Sequence, residues 1–428
     1  MLKLALITNQ EGLFQKFFNF FEKNINQIEK LTAQKVEITY ILNNSVDKKI
    51  PSSFTKKFKK TDFIKDYNKI LADPEVDIIL ELSRKQESSD YLLRALKNKK
   101  IVITSNLKVI AENYLEIRKM EKRFESRVFF SAAFSPLPIK TLIDNFYALD
   151  ELEELNAILN ATTNYILAEM EKYTISMKET VEQAKELSYT EENTDLDLNG
   201  VDSLNKIIIL TNLFYNTALD PALINAKGIK GITSYDLIYA AELGYKIKLI
   251  CTIKKENKEL YLGVRPNLIP QDSFLASINE NSNGVEILSN YNAKTTFTAE
   301  NSDQASVNLL SLDLIKAAEF IKNKNQSEFN IEIKNISVSD YYQEKFSSFY
   351  VRLQLEKDEE IIDKIKKIFS EKNLADLILH DNLTETPLLP VIILTKKIKE
   401  KDLEELLEEV EDLEGVLTVN NIIAVKEA

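Results

Sequence analysis

The sequence predicts an α/β protein built from three parts, and three features of the chain indicate this. From residue 1 to about 130, short apolar runs alternate with amphipathic stretches, which is typical of a parallel sheet with crossover helices. From about residue 131 the pattern changes to a mixture of helices and longer strands. Residues 346–428 follow a compact strand–helix–strand–strand–helix–strand scheme. A chain of 428 residues is long enough for two or three domains.

The first part, residues 1–130, is predicted to be a doubly wound, Rossmann-like nucleotide domain. Its predicted strands are LKLALI (2–7), VEITYIL (36–42), VDIILEL (76–82) and KIVIT (100–104). Its predicted helices are FQKFFNFFEKNINQIEKL (14–31) and SSDYLLRALKNK (88–99). A further helix over 303–324 is predicted to return to this domain.

The remaining chain is divided into a second domain over 131–302, a polar linker over 325–345 and a third domain over 346–428. The second domain carries the helices ISMKETVEQAKEL (175–187) and LNKIIILTNLFYNTAL (204–219), and the strands YKIKLICTI (245–253) and LYLGVRP (260–266). In the third domain, strands are predicted over 348–356, 374–380, 390–396 and 416–427, and helices over 360–372 and 401–412. That order predicts a ferredoxin-like fold.

Composition excludes several classes of function. One Cys, one His and no Trp exclude an intrachain disulfide framework and a Cys/His zinc site, so no metal site is expected. His380 lies in a strand-like run, so it is not expected to serve a hydrolase, and proton chemistry must use Lys, Asp, Glu or Tyr. The net charge of −12 opposes nucleic-acid binding. There is no apolar run long enough to cross a membrane and no signal peptide, so we expect a cytoplasmic protein.

The turn after the first strand differs from the turn that a dinucleotide needs. Glycines in a G-x-G-x-x-G turn let the backbone approach a diphosphate at a helix N-terminus. Here the turn reads Thr8-Asn9-Gln10-Glu11-Gly12. Gln10 adds bulk where backbone contact is needed, and Glu11 places negative charge near the phosphates. The sequence therefore predicts weak dinucleotide binding.

A second candidate site lies in the segment SYTEENTDLDLNGVDSLNK (188–206). Tyr189 and Glu191 belong to an acidic stretch that ends at a helix start, and Asp202 and Lys206 follow at i, i+4 on one helix face. Carboxylates and an ammonium that converge in this way could hold an amino acid, with Lys206 polarising or protonating a carbonyl oxygen. The alternative is an exposed ion pair worth a few tenths of a kcal/mol.

Several motifs, in order along the chain, resemble the homoserine dehydrogenase family. YTEENTDLDLNGVDSLNK is similar to the family pattern Y-T/A-E-x-D-P-x-x-D-L/V-x-G-x-D-x-x-x-K, and ILNATTNYILAEM is similar to I-L-N-G-T-T-N-Y-I-L-x-x-M. ADPEVDIILEL, KKIVITSN, LGYKIKLI and VRPNLIP also match family motifs. The resemblance covers residues 1 to about 325, and the tail from YVRLQLE onward is similar to an ACT domain.

The resemblance implies NAD(P)H-dependent interconversion of L-aspartate 4-semialdehyde and L-homoserine by a homodimer or larger homo-oligomer. By motif, Lys206 assists proton transfer beside Asp202, and Glu191 receives the substrate ammonium. The other assigned positions line the amino-acid pocket (Tyr189, Asp197, Thr162) or occupy the cofactor side (Thr8, Asn9, Gln10, Gly12, Asn106).

The cofactor side departs from the family pattern at four loops and one lysine. The lysine of T-A-N-K is replaced by Leu107. The altered loops are the first turn, Glu81-Leu82-Ser83-Arg84-Lys85, Ser131 to Pro138, and Glu300-Asn301-Ser302. The third of these lacks the glutamate that helps form the family's monovalent-cation site. Two hypotheses follow: a divergent working dehydrogenase using NADP or NAD, or a catalytically silent relative that binds an amino acid or a protein partner.

Overall fold

The computed structural model describes residues 1–8, 11–43, 61–83, 88–186, 194–278, 281–323, 332–379 and 388–426. The chain forms two compact units. The first comprises residues 1–149, 208–221 and 301–335, and the second comprises 150–207, 222–300 and 336–428.

The elements are numbered in chain order. The strands are β1 (Leu2–Thr8), β2 (Val36–Asn43), β3 (Asp62–Ile64), β4 (Ile78–Glu81), β5 (Ile101–Thr104), β6 (Val128–Phe129), β7 (Leu152–Ile158), β8 (Tyr245–Glu256), β9 (Glu259–Pro270), β10 (Ser282–Ser289), β11 (Ala293–Glu300), β12 (Ser337–Asp340), β13 (Ser348–Glu356), β14 (Leu374–Leu379), β15 (Leu388–Thr395) and β16 (Val416–Val425). The helices are α1 (Glu11–Thr32), α2 (Tyr67–Ala72), α3 (Ser88–Lys97), α4 (Leu107–Phe124), α5 (Ile139–Asn145), α6 (Ala161–Tyr173), α7 (Met177–Glu186), α8 (Asp195–Leu198), α9 (Val201–Tyr215), α10 (Ser234–Glu242), α11 (Asp303–Lys322), α12 (Tyr341–Glu344), α13 (Glu359–Asn373) and α14 (Glu400–Glu411).

The first unit contains a six-stranded sheet with the order β3-β2-β1-β4-β5-β6, in which every pair is parallel. This is the strand order of doubly wound dinucleotide-binding domains, whose ligands bind at the carboxyl ends of the strands. The predicted Rossmann-like sheet is therefore confirmed. Its apolar core joins Leu6 of β1 to Phe17 and Phe21 of α1 and to Leu310 and Leu314 of α11, so the helix predicted over 303–324 packs in this unit.

The second unit contains one mixed sheet with the order β11-β10-β7-β8-β9-β16-β13-β15-β14, and β12 pairs with β9. Strands β8 and β9 form a long antiparallel hairpin. The C-terminal module, residues 346–428, follows the predicted βαββαβ scheme. Its strands lie in the ferredoxin-like order β16-β13-β15-β14, with each neighbouring pair antiparallel.

A buried carboxylate joins the C-terminal module to the rest of the second unit. Asp236, on the first turn of α10, is fully buried. It accepts hydrogen bonds from Arg352 Nε on β13 at 2.7 Å and from Asn421 Nδ2 on β16 at 2.7 Å. Because a buried charge is stable only with such partners, Asp236 fixes the module through long-range contacts.

The structure also contains elements that the sequence pattern did not predict. The predicted linker over 325–345 includes β12, which pairs in parallel with β9, and the short helix α12. Strand β3 has three residues, of which Asp62 and Phe63 are exposed, so it presents no apolar run. Strand β11 lies at the edge of its sheet and carries mostly polar residues. Short, exposed or polar strands carry little of the alternating apolar signal from which strands are predicted.

Candidate functional site

Asp202 and Lys206 lie on the first two turns of α9, directly after Gly200. Gly200 separates α8 from α9 with φ of +79°, a left-handed conformation that favours glycine. Lys206 Nζ lies 2.8 Å from Asp202 Oδ2. The Lys206 side chain is only 11% exposed. The Asp202 side chain is 27% exposed, so the pair is partly buried rather than fully exposed.

Two further contacts hold this pair in place. Lys206 Nζ donates a hydrogen bond of 2.6 Å to the carbonyl oxygen of Leu159, the residue that follows β7. Asn160 Nδ2 donates to Asp202 Oδ2 at 2.9 Å and to Asp197 Oδ1 at 2.6 Å. Among the described residues Lys206 makes two side-chain hydrogen bonds, and its ammonium has three N–H groups. One N–H thus remains for a ligand oxygen.

Asn160 is a site residue that the sequence reasoning did not single out. It is the N-cap of α6, and its Oδ1 accepts from Thr163 N at 2.8 Å. The available signal was its place in ILNATTNYIL, where an asparagine ends a strand and starts a helix. A cap is recognisable from sequence, but its contacts with Asp197 and Asp202 are not.

The structure brings together some of the predicted substrate residues. Asp197, on α8, and Asp202 both contact Asn160, and Lys206 contacts Asp202. Thr162 is half-buried on the first turn of α6, two residues after Asn160. The predicted residues Tyr189 and Glu191 lie outside the described residues. Two carboxylates, an amide and an ammonium can together bind a zwitterion and donate a proton to an oxygen.

Cys251 lies beside this cluster and is a buried free thiol. Its Sγ lies 3.9 Å from the carbonyl oxygen of Ser203. Burial raises the pKa of the Cys251 thiol to about 12, with Lys206 acting in the opposite direction. The thiol is therefore protonated at neutral pH and does not act as a nucleophile.

The predicted cofactor positions lie in the first unit, at the carboxyl edge of its sheet. Thr8 is buried at the end of β1, and α1 begins at Glu11, followed by Gly12. Asn9 and Gln10 lie outside the described residues. Asn106 is buried as the N-cap of α4, and its Oδ1 accepts from Val109 N at 3.3 Å.

The described residues at this edge include one departure from the family's cofactor-side pattern. Leu107 is buried at the position where the family pattern has a lysine, so it offers an apolar side chain and no proton. Lys108, the next residue, lies 3.6 Å from Glu112 on the same helix as an exposed pair. Helix α1 begins at Glu11.

The loop at Ser131 to Pro138 is held by an aspartate from α11. Asp313 is buried and accepts from Ser131 N at 2.7 Å and from Ser131 Oγ at 2.6 Å. Burial raises the pKa of Asp313 to about 6, although these hydrogen bonds act in the opposite direction. The described part of the chain contains no cluster of three His, Cys, Asp or Glu residues suited to a metal ion.

The first unit has the strand order of dinucleotide-binding domains, and the second unit holds a Lys–Asp cluster suited to an amino acid. Comparison with known proteins specifies the family. Residues 138–307 match the family model described as homoserine dehydrogenase, and residues 22–131 match the model described as homoserine dehydrogenase, NAD binding domain.

Named relatives agree with these matches. A homoserine dehydrogenase of Methanocaldococcus jannaschii is 33% identical over 234 residues, covering 51% of this chain and 68% of the relative. A homoserine dehydrogenase of Bacillus subtilis is 27% identical, covering 83% and 84% of the two chains. A solved homoserine dehydrogenase from Thiobacillus denitrificans has the same fold, with a TM-score of 0.87, 19% identity and coverage of 100% and 98%. The chain belongs to the homoserine dehydrogenase family.

Across its described residues, no helix is both long and apolar enough to span a bilayer.

Proposed function

We propose that this chain binds L-homoserine or L-aspartate 4-semialdehyde at the Asp202–Lys206 cluster, with little or no hydride transfer. The observation that carries the proposal is the mostly buried Lys206 ammonium, held by Asp202 and Leu159 with an N–H left for a ligand oxygen. Holding a lysine in this way has a desolvation cost, which a ligand contact in a functional site would offset.

Each described residue has a role in that binding. Lys206 donates a hydrogen bond to the oxygen on the ligand's terminal carbon, and Asp202 orients the Lys206 ammonium from 2.8 Å. Asn160 holds Asp202 and Asp197 at the same end of α6, where carboxylates favour a ligand ammonium. Glu191 is assigned to that ammonium by the family motif alone.

The cofactor half supports the second part of the proposal. Leu107 stands in place of the family lysine, and Glu11 begins the helix that would face a diphosphate. A hydride donor that is not held close and aligned reacts slowly, because positioning supplies much of the rate enhancement in two-substrate reactions.

Thermal unfolding with L-homoserine tests the binding. A ligand at 100 times its Kd stabilises the folded chain by about 2.7 kcal/mol, which raises Tm. Lys206→Ala should abolish that rise. Lys255→Ala removes an exposed ion pair with Glu151 and should leave the rise intact, so it is the matched control. If no amino acid at millimolar concentration raises Tm, the cluster is a scaffold element and the proposal is wrong.

A working dehydrogenase is the second candidate function. It is favoured by the dinucleotide-type strand order and by the match of residues 22–131 to an NAD-binding domain. The two candidates differ in turnover, which the oxidation of NADPH or NADH by aspartate 4-semialdehyde measures. A turnover number near the enzyme median of about 10 per second would establish the second candidate.

A further inference from the structure

We propose that Glu400, in the C-terminal module, is a positioning residue for the Asp202–Lys206 site and acts through Lys227 and Gly228. This inference rests on the proposed function, since it concerns the same site. Glu400 is the first residue of α14, yet its side chain is only 4% exposed. Such a buried carboxylate requires cationic partners. Arg265 NH1 lies 2.5 Å and Lys227 Nζ 2.6 Å from Glu400 Oε1.

The Arg265 side of this cluster is rigidly held. Arg265, on β9, stacks over the ring of Tyr342 at 3.8 Å, and its NH2 lies 3.6 Å from Asp340. Burial acts to raise the pKa of Glu400, but Arg265 and Lys227 hold that pKa below its usual value. Glu400 is thus a fixed anion, and Lys227 is the partner through which it reaches another segment.

The segment of Lys227 is clamped between β9 and α8. Lys227 N donates to the carbonyl oxygen of Val264 at 2.9 Å, and Ile229 N donates to that of Leu198 at 2.8 Å. Gly228 lies so close to α8 that an added Cβ would stand 1.9 Å from the Leu198 oxygen. Only glycine permits this approach.

The clamped turn carries the site residues. Leu198 is the last residue of α8, directly after Asp197, and Gly200 leads into α9, where Asp202 lies on the first turn. A displacement of Lys227 and Gly228 therefore moves both carboxylates that Asn160 holds. The C-terminal module thereby sets the geometry of the amino-acid site without contacting the ligand.

The test measures L-homoserine affinity by calorimetry and hydrogen exchange of residues 195–204 in the full chain. Lys227→Met should weaken binding about 2- to 30-fold, the range for distal coupling of 0.5–2 kcal/mol at tenfold per 1.4 kcal/mol. Exchange in that peptide should also become faster. Lys227→Arg should restore both, and Lys255→Met, which removes an exposed pair, should change neither.

A second set of variants separates positioning from general stability. Glu400→Gln should weaken homoserine binding as Lys227→Met does. Because both residues act through one contact, the double variant should bind homoserine no more weakly than the single variant with the lower affinity. Ile365→Val, in the core of the module, should lower Tm with unchanged affinity and exchange.

Two results would overturn the inference. One is wild-type affinity and exchange in both Lys227→Met and Glu400→Gln. The other is an Ile365→Val effect on affinity as large as theirs. If the wild-type chain does not bind homoserine, the proposed function fails, and hydrogen exchange of residues 195–204 alone decides the positioning role. Faster exchange in Lys227→Met supports that role, and unchanged exchange refutes it.

Discussion

The side-chain amide of Asn160 lies 2.9 Å from the Asp202 carboxylate and joins the start of α6 to the first turn of α9. The same nitrogen donates to Asp197 at 2.6 Å, while the Asn160 oxygen caps α6. A single side chain therefore fixes one helix end and two carboxylates. It links local helix stability to the geometry of the amino-acid site.

Asn160→Ala should lower both stability and homoserine affinity. Loss of an N-cap costs about 1 kcal/mol of unfolding free energy, and the freed carboxylates add to that cost. Urea unfolding measures the first effect and calorimetry the second. Ser302→Ala removes the N-cap of α11 and is the matched control, which should lose stability but keep affinity. Unchanged affinity in Asn160→Ala would show that the amide has no part in ligand binding.

Dinucleotide binding should be weak, with a Kd above roughly 1 mM, equivalent to a binding free energy weaker than about −4 kcal/mol. The reasons lie in the sequence: the turn Thr8-Asn9-Gln10-Glu11-Gly12 has a bulky and an acidic residue where the family pattern has glycines, and the other glycine loops are lost. Titration calorimetry with NADPH and with NADH measures this directly. A Kd below about 10 µM, or −7 kcal/mol on the same scale, for either cofactor would contradict the prediction.

Stability should depend on pH through Asp313. Burial raises its folded-state pKa to about 6, above an unfolded value near 3.9, so the folded chain binds one more proton between these values. Stability must then fall as pH rises from about 4 to 6, by about 1.4 kcal/mol per pH unit from this group, and level off above 6.

The comparison with Asp313→Asn isolates that contribution. The amide keeps an acceptor for Ser131 but does not titrate. The difference in unfolding free energy between variant and wild type should therefore change with pH between about 4 and 6 and stay constant above 6. Denaturant unfolding at several pH values measures the difference. A difference that is flat from pH 4 to 6 would mean that the carboxyl titrates normally in the folded chain.

Local periodicity predicted much of the fold. The apolar residues of α1, such as Phe17 and Phe21, recur at helical spacing and face the core. The four predicted strands of the first part are apolar runs that lie inside the parallel sheet. By contrast, β12 became a strand through pairing with β9, and the anchor between Asp236 and Arg352 joins residues far apart in sequence. Neither has a local signal.

The candidate site likewise has features that the sequence predicts and features that only the tertiary structure provides. Asp202 and Lys206 share a helix face because of their spacing, which the sequence displays. Their burial, the carbonyl of Leu159 and the amide of Asn160 depend on where β7 ends relative to α9, which is a tertiary property. Spacing alone therefore favoured an exposed pair, whereas the family motif pointed to the site.

The C-terminal module should not respond to amino acids, although its strand order and sequence resemble those of an ACT domain. In such modules, a turn with Pro and Gly after the first strand leaves room for the ligand at the helix start. Here β13 ends at Glu356 and α13 is capped by Asp358, which accepts from Glu360 N at 2.8 Å. With Glu359 and Glu360 on the first turn, the helix N-terminus already holds three carboxylates, which repel the carboxylate of an amino acid.

Thermal unfolding of the full-length Lys206→Ala variant tests this, because that substitution silences the other amino-acid site. Threonine, methionine and other amino acids should leave its Tm unchanged at millimolar concentration. Asp358→Ala should lower the unfolding free energy by about 1 kcal/mol through loss of the cap, which shows that the measurement detects changes in the module. A saturable rise in Tm with any amino acid in Lys206→Ala, lost on Asp358→Ala, would instead identify the start of α13 as an effector site.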